Sequence, residues 1–390
     1  MDGVCMVKDW KKKKLGDIAE IRMCKRIFSE QTSPTGEIPF FKIGTFGKEP
    51  DAYISRSLYE EFISKYSFPN KGDILLSAAG TLGRTVVYDG KPAYFQDSNI
   101  VWLEIDKNQI CNEYLNHYYQ VIVWASPEGS TISRLYNSII RNTDINLPSL
   151  PEQYRIAVVL SDTDELITTL EKLIAKKRAI KQGTMQELLT GKIRLSGFSG
   201  KWVEQLMSNC LVFEVGYPFK SELFNQNNIG LRLIKNRDLK SDDQVYFTTE
   251  EYDPTYIVKN GDVLIGMDGD FIPCLWNKGT ALLNQRVGRI KTINIDIRFA
   301  YYVLIKPLEE LQNGTGATTV KHLSHTNVEL LQIYIPPTIA EQTAIASILS
   351  DMDAEIDTLT AKLNKLRNIK QGMMSELLTG RIRLLEQEMR

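Results

Sequence analysis

The sequence is poor in the residues that build metal sites and disulfides. Three histidines serve 390 positions, and five cysteines (Cys5, Cys24, Cys111, Cys210 and Cys274) are odd in number, scattered and without a CxxC pair. That pattern excludes a disulfide framework and a zinc knuckle, and predicts reduced thiols and a cytoplasmic protein. No apolar run approaches the ~18 residues of a membrane span. Lys8 and Lys11 to Lys14 are not followed by an apolar stretch, so no signal peptide is expected. Charge of one sign is lacking too. The formal net charge is −1, which leaves any attraction for nucleic acid to local clusters or a partner. There is no GxxxxGK[ST] phosphate loop, which removes an ATP motor from the candidates, and no N-P-P-[YF] run of the kind adenine methyltransferases use. His322 and His325 form an HxxH without a third ligand, a weak metal signal.

What is present is a repeat. Pro148 to Leu195 returns as Pro337 to Leu384 at an offset of 189, with 27 identities in 48 positions. The offset extends upstream: Gly72-Asp73-Ile74-Leu75 returns as Gly261-Asp262-Val263-Leu264, and Gln96 as Gln285. Trp10 matches Trp202 at an offset of 192. Each half is a variable segment followed by a near-copied one, which suggests two different surfaces presented on one frame.

The copied segments predict helices. Proline-rich starts followed by Glu152 and Glu341 suit helix N-termini, and Gly191 and Gly380 suit C-terminal stops. Apolar residues recur at alternating steps of four and three: Ile156, Leu160, Ile167, Leu170 and Ile174 in one copy, and Ile345, Leu349, Ile356, Leu359 and Leu363 in the other. Lys370 alone interrupts the ten-position stripe of the second copy. Sustained heptads indicate a coiled coil, each helix about 55 Å long. Gly183 and Gly372, inside helices, predict close helix crossing or partner docking. The variable segments read as short strands: Ile38 to Ile43, Asp73 to Ser77, Val86 to Tyr88, Ile100 to Ile105, Leu231 to Lys235, Asp262 to Gly266 and Val287 to Ile290. Helices are expected over Asn112 to Trp124 and Ile297 to Leu304.

Two variable domains, each opening on a Trp and closing on a P-x(3)-EQ helix that ends in LLTG-[KR]-IRL, resemble the specificity subunits of type I restriction–modification systems. The resemblance covers nearly the whole chain. The helices are its specific part; the variable domains match in skeleton only. It implies an α+β fold with two β-rich target-recognition domains, joined by two long helices in an antiparallel coiled coil with an internal pseudo-twofold repeat. The expected boundaries are 1–147 and 196–336 for the recognition domains, and 148–195 and 337–390 for the helical spacers. It further implies a non-catalytic, sequence-specific DNA-binding subunit that reads a bipartite, asymmetric site. Its partners would be double-stranded DNA, two methyltransferase subunits and two restriction subunits. No cofactor is expected in this chain; S-adenosylmethionine, ATP and magnesium belong to the partner subunits.

Under that resemblance, the loops after the repeated GD[IV]L strands become the candidate DNA contacts. Ser77, Thr81 and Arg84 lie in the first, and Asp268 in the second, where glycines permit close backbone approach. Lys42 and Thr45 follow one strand, and Lys235, Asn236 and Arg237 its counterpart. Thr131, Ser133 and Arg134, with Thr319, Lys321 and His322, form a second polar loop suited to phosphates. The run Lys172, Lys176, Lys177, Arg178 and Lys181 reads as a solvated helix face that could also lie over DNA. Two rivals stay open at this point: a free-standing coiled-coil DNA-binding regulator or scaffold, and a nuclease or methyltransferase with an unfamiliar site.

Overall fold

The computed structural model describes residues 9–124, 134–314 and 322–384. Thr131, Ser133, Thr319 and Lys321 lie outside those residues, as do Cys5 and Lys8. The chain divides into two compact units: Met1–Glu171 with Lys362–Arg390, and Lys172–Ala361.

In the first unit, strand Lys11–Lys14 pairs antiparallel with Asp144–Leu147. A four-stranded antiparallel sheet follows in the order Ala19–Arg22, Ile100–Ile105, Ile74–Ser77, Thr85–Val87. Its middle strands read as continuous apolar runs because both faces are covered. Ile74, Leu76, Val101 and Leu103 face one core, while Leu75, Ile100 and Trp102 face another. A three-stranded sheet, Tyr53–Ile54, Ile38–Phe41, Tyr94–Phe95, walls the second core. The helices are α1 (Arg56–Lys65), α2 (Asn112–Tyr119), α3 (Asn137–Asn142) and the first part of α4 (Leu150–Leu188).

The second unit repeats the plan. Its four-stranded sheet runs Leu211–Val215, Val287–Thr292, Val263–Gly266, Pro273–Leu275, the same order as its counterpart. A five-stranded sheet replaces the three-stranded one, and Val203–Leu206 pairs antiparallel with Gln332–Ile335. Its helices are α5 (Ile297–Gly314), α6 (His325–Glu329), and parts of α4 and α7 (Ile339–Leu377). Arg289, nearly buried, ties this unit together by pairing with Glu214 at 2.6 Å and donating to the carbonyls of Thr255 and Ile257.

Two expected helices have different lengths. The one expected to reach Trp124 ends at Tyr119. Val123 is 93% exposed, so the apolar phase fails there, and Trp124 turns back beside Tyr119 and over Gly83. The one expected to end at Leu304 runs to Gly314 through Pro307, because Leu308 is fully buried and carries the stripe onward.

The unit boundary falls inside both long helices, each of 39 residues, about 58 Å at 1.5 Å per residue. In each unit the helix segments run antiparallel. In the first, Lys370 pairs with Asp164 and Arg367 with Glu171; in the second, Lys177 pairs with Glu355 and Lys181 with Asp353. Ile156, Leu160, Leu170, Ile174, Ile345, Leu349, Ile356 and Leu363 of the expected stripe are buried, and Ile167 and Leu359 are half-buried. The two lysines of the basic run are therefore held by acids of α7 rather than freely solvated.

The copied EQ and IRL motifs interlock crosswise. Glu152, with no exposed surface, accepts from Arg383 at 2.7 and 2.8 Å; Glu341, equally buried, accepts from Arg194 at 2.9 and 2.6 Å. Each glutamate of one copy thus takes the arginine of the other copy. The neighbouring glutamines fasten the helix starts to the β-rich part of each unit. Gln153 accepts from the Cys111 backbone N–H at 3.1 Å, and Gln342 from that of Asp296 at 2.8 Å. Gly191 and Gly380, at φ +68° and +79°, end the helical segments in the left-handed conformation that glycine adopts without a Cβ penalty.

One expectation about these helices fails. Gly183 and Gly372 are exposed, and a Cβ at either would meet nothing within 4 Å. Close helix crossing is not what they serve.

Candidate nucleic-acid interface

The loop after Ile74–Ser77 is shaped from beneath. Ser77 is 1% exposed; its hydroxyl donates to the Thr81 carbonyl at 2.5 Å and accepts from Arg84 N–H at 2.9 Å. Ser77 was expected among the contact residues, but burial and these two bonds make it the staple that closes the loop. Gly80 and Gly83 take positive φ at the bend, which leaves Thr81 exposed at its tip. Arg84 lies under the loop. Its guanidinium is 5.2 Å from the Phe46 ring and donates to the Ile43 carbonyl at 3.4 Å. Its Nε is buried with no hydrogen-bond partner among the described residues.

The second polar loop returns to the first. Ala79 and Arg134 form an isolated antiparallel bridge, and Leu135 N–H donates to the Ala78 carbonyl at 2.8 Å. Arg134 reaches the carbonyl of Ser98 at 3.1 Å, and Ser98 holds a left-handed φ of 54°. Lys42 pairs with Asp51 at 2.8 Å, and the Thr45 hydroxyl is bound to the Lys42 backbone, bracing the turn between them. Beside this edge lies a groove of about 310 Å³ lined by Arg26, Phe28, Lys42, Gln96, Asp97 and Ser98.

The second unit builds the same edge from different residues. Asp268 and His322 form the equivalent bridge, and Leu323 N–H donates to the Met267 carbonyl at 2.8 Å. His322 Nδ1 sits 2.8 Å from Asp268 Oδ1, with Arg286 3.6 Å from the other oxygen. The Asn236 amide donates to the Asp268 carbonyl at 2.5 Å. Gly266 is needed for this, since a Cβ there would stand 1.9 Å from Asn236 Oδ1. The Lys235 ammonium lies 3.4 Å from the centre of the Tyr246 ring and 4.7 Å from that of Phe224, and burial lowers its pKa. Arg237 is exposed, stacks on Tyr246 and donates to the Gln244 carbonyl at 3.3 Å. Lys240 pairs with Asp270, which also accepts from Gln312 at 3.0 Å. A groove of about 730 Å³ includes Asn236, Lys240, Asp268 and Asp270, and on α7 Asp353 and Asp357.

The structure thus gathers Thr81, Arg84 and Arg134 at one edge, and Asn236, Asp268 and His322 at the equivalent edge. Sequence reasoning missed Ser98, Arg286 and Lys240. Gln96, matched to Gln285 by the repeat, was the one signal pointing toward the Ser98 groove. Among the described residues there is no cluster of three or more His, Cys, Asp or Glu able to hold a metal, and no helix long and apolar enough to cross a membrane.

Comparison with known proteins places this arrangement. The model of the type I restriction modification DNA specificity domain matches residues 7–182 and 208–368. A provisionally named type I restriction enzyme specificity subunit of Haemophilus influenzae is 53% identical over 156 residues, which are 40% of this chain and 40% of that protein. The type I restriction enzyme EcoBI specificity subunit of Escherichia coli is 33% identical over 207 residues, 51% of this chain and 43% of that protein. The chain therefore spans less than half of the length of either relative. The type I restriction enzyme MjaVIII specificity subunit of Methanocaldococcus jannaschii is 28% identical over 98% of this chain and 95% of that protein. In fold, the chain is similar to a crystal structure of a type I restriction–modification S subunit from M. genitalium, with TM-score 0.66 at 16% identity, covering 95% of this chain and 96% of that one. On the family match, which takes in most of the sequence, the chain belongs to the type I restriction–modification DNA specificity family.

Proposed function

We propose that the chain reads a bipartite, asymmetric DNA site and brings methyltransferase subunits, and with them restriction subunits, to it. The observation that carries this reading is the loop bridge built twice on the same sheet order, Ala79 with Arg134 and Asp268 with His322. A shared sheet order and loop bridge carrying different side chains suit two different half-sites. The recognition domains are assigned to 1–147 and 196–336, the spacers to 148–195 and 337–390. Lys42, Thr81, Arg84 and Arg134 would face the first half-site; Lys235, Asn236, Arg237, Asp268 and His322 the second. Thr45 and Ser77 hold their loops in shape.

The helical spacers supply the partner surface. On α4 in the first unit, Tyr154 and Val158 lie one turn apart and exposed, and neighbouring exposed apolar side chains mark an interaction face. The open space over Gly183 and Gly372 fits docking by a partner side chain. The experiment is methylome sequencing of cells carrying the chain with its methyltransferase. Arg134→Ala should cost about 1–3 kcal/mol at its own half-site if the guanidinium touches a base. Relaxation confined to one half of a split target supports the reading; a continuous palindromic target refutes it.

A further inference from the structure

Each unit holds a cluster of polar side chains where its recognition fold meets the long helices. In the first, the buried His117 of α2 sets Nε2 3.0 Å from Ser161 Oγ and Nδ1 3.9 Å from Asp164 Oδ2. Asp164 pairs with Lys370 of α7 at 2.7 Å, and Lys370 also donates to Gln120 at 3.1 Å, just past the end of α2. In the second, the hydroxyl of Tyr302 on α5 donates to Asp353 Oδ2 at 2.7 Å and lies 3.3 Å from Ser350 Oγ. Lys181 of α4 pairs with Asp353 and lies 5.4 Å from the centre of the Tyr302 ring.

These are one construction made twice. Ser161 and Ser350, Asp164 and Asp353, and Lys181 and Lys370 are each related by the offset of 189. His117 and Tyr302 each lie six positions beyond the backbone N–H, of Cys111 or Asp296, that the EQ glutamine accepts. The lysine of each copy serves the aspartate of the other. Lys370 is also the single charged interruption of an otherwise apolar stripe, and its side chain is mostly buried. An ammonium at such a position is costly unless paired, and polar residues there are best known for fixing register. Only one register of the helix segments sets each lysine against its aspartate. Only one seat of the recognition helix brings His117 or Tyr302 to the same carboxylate.

We infer that Asp164–Lys370 with His117, and Asp353–Lys181 with Tyr302, are positioning keys that fix each recognition fold on its helix pair and so hold that unit's loops over its half-site. The keys act through α2 and α5 and do not touch DNA. The inference rests on the proposed reading of two half-sites, one per unit.

The test uses the full chain assembled with methyltransferase subunits, carrying Lys370→Met or, as the matched variant, Lys181→Met. Two measurements are made: hydrogen exchange along the chain, and methylation of a DNA library varied at each half-site. Lys370→Met should raise exchange in 112–119 and leave 297–314 unchanged. It should lower discrimination at the first half-site roughly tenfold, inside the ~5–150-fold usual for coupled sites. Lys181→Met should do the reverse. Exchanging the charges, Asp164→Lys with Lys370→Asp, should recover both measurements, which loss of packing alone would not allow. Unchanged exchange in 112–119 overturns the inference, as does raised exchange with discrimination intact at the first half-site. If the unaltered assembly selects no two-part target, the functional reading fails, while the exchange result still decides whether the clusters seat the recognition folds.

Discussion

Replacing Glu152 by alanine should unseat the first helix start from its crosswise partner. The carboxylate has no exposed surface and takes two charge-assisted bonds from Arg383, at 2.7 and 2.8 Å. Its removal leaves a guanidinium with only 20% of its side-chain surface exposed, 3.6 Å from Asp9 and 5.8 Å from the centre of the Trp10 ring. Breaking a fully buried pair costs about 3–5 kcal/mol. Arg383 keeps some water and a weak second acid, so the expected loss is about 3 kcal/mol. Glu152→Gln keeps the shape and one good acceptor and should lose about half of that. Because much of the cost is the stranded charge, Glu152→Met with Arg383→Met should lose less than the sum of the single changes, by about 2 kcal/mol. Hydrogen exchange measured across a denaturant series reads each unit separately: protection should fall in 150–160 and 378–384 and hold in 263–292. A loss below about 1 kcal/mol, or strict additivity in the double change, would refute the claim that the interlocked motifs clamp this unit.

Gly266→Ala should displace Asn236, whose Oδ1 would lie 1.9 Å from the new Cβ, and relax reading of the second half-site alone in the methylome. Arg289→Ala should destabilise the second unit by about 3–5 kcal/mol, seen as early denaturant exposure of 211–215 and 287–292, since Glu214 and two carbonyls lose one buried donor group. The first unit should weaken in acid. Burial is the largest influence on His117 and lowers its pKa; Asp164 and the Ala157 carbonyl oppose the shift and Lys370 adds to it. The unfolded chain therefore takes up a proton near pH 6.5 that the folded unit resists, so stability declines as pH falls below that value and is flat above it. Exchange protection of 112–119 across that range should show the slope, and His117→Phe should flatten it.

The long helices were legible because their signals are local and doubled: a seven-residue stripe, acidic starts and glycine stops, all appearing at an offset of 189. The sheets were legible as strands, and Ile100–Ile105 has the expected limits, but not as an order, which needs pairings far apart in sequence. The loop bridge of Ala79 with Arg134 joins residues that no local pattern links, although both loops were singled out separately. Ser77 was misplaced because its side chain reads as polar in either role; only its depth distinguishes a staple from a contact. Of the two causes read for Gly183 and Gly372, open space around both removes close helix crossing and leaves partner docking; in sequence the two look alike. The EQ and IRL motifs were visible as repeats, yet nothing in their spacing says that each copy's glutamate binds the other copy's arginine.

That exchange of parts sets an order on synthesis. The second unit is continuous, Lys172–Ala361, so it can close as soon as its own residues leave the ribosome. The first cannot. Its sheets and α2 emerge early, but Met374, Leu377 and Leu378, which complete its core, and Arg383, which neutralises Glu152, come only after the entire second unit has been made. Domains generally fold as units, the earlier first, during translation. Here the earlier one waits with apolar surface open around Ile156 and Leu160 and a carboxylate at Glu152 without its arginine, and the later one is finished before it.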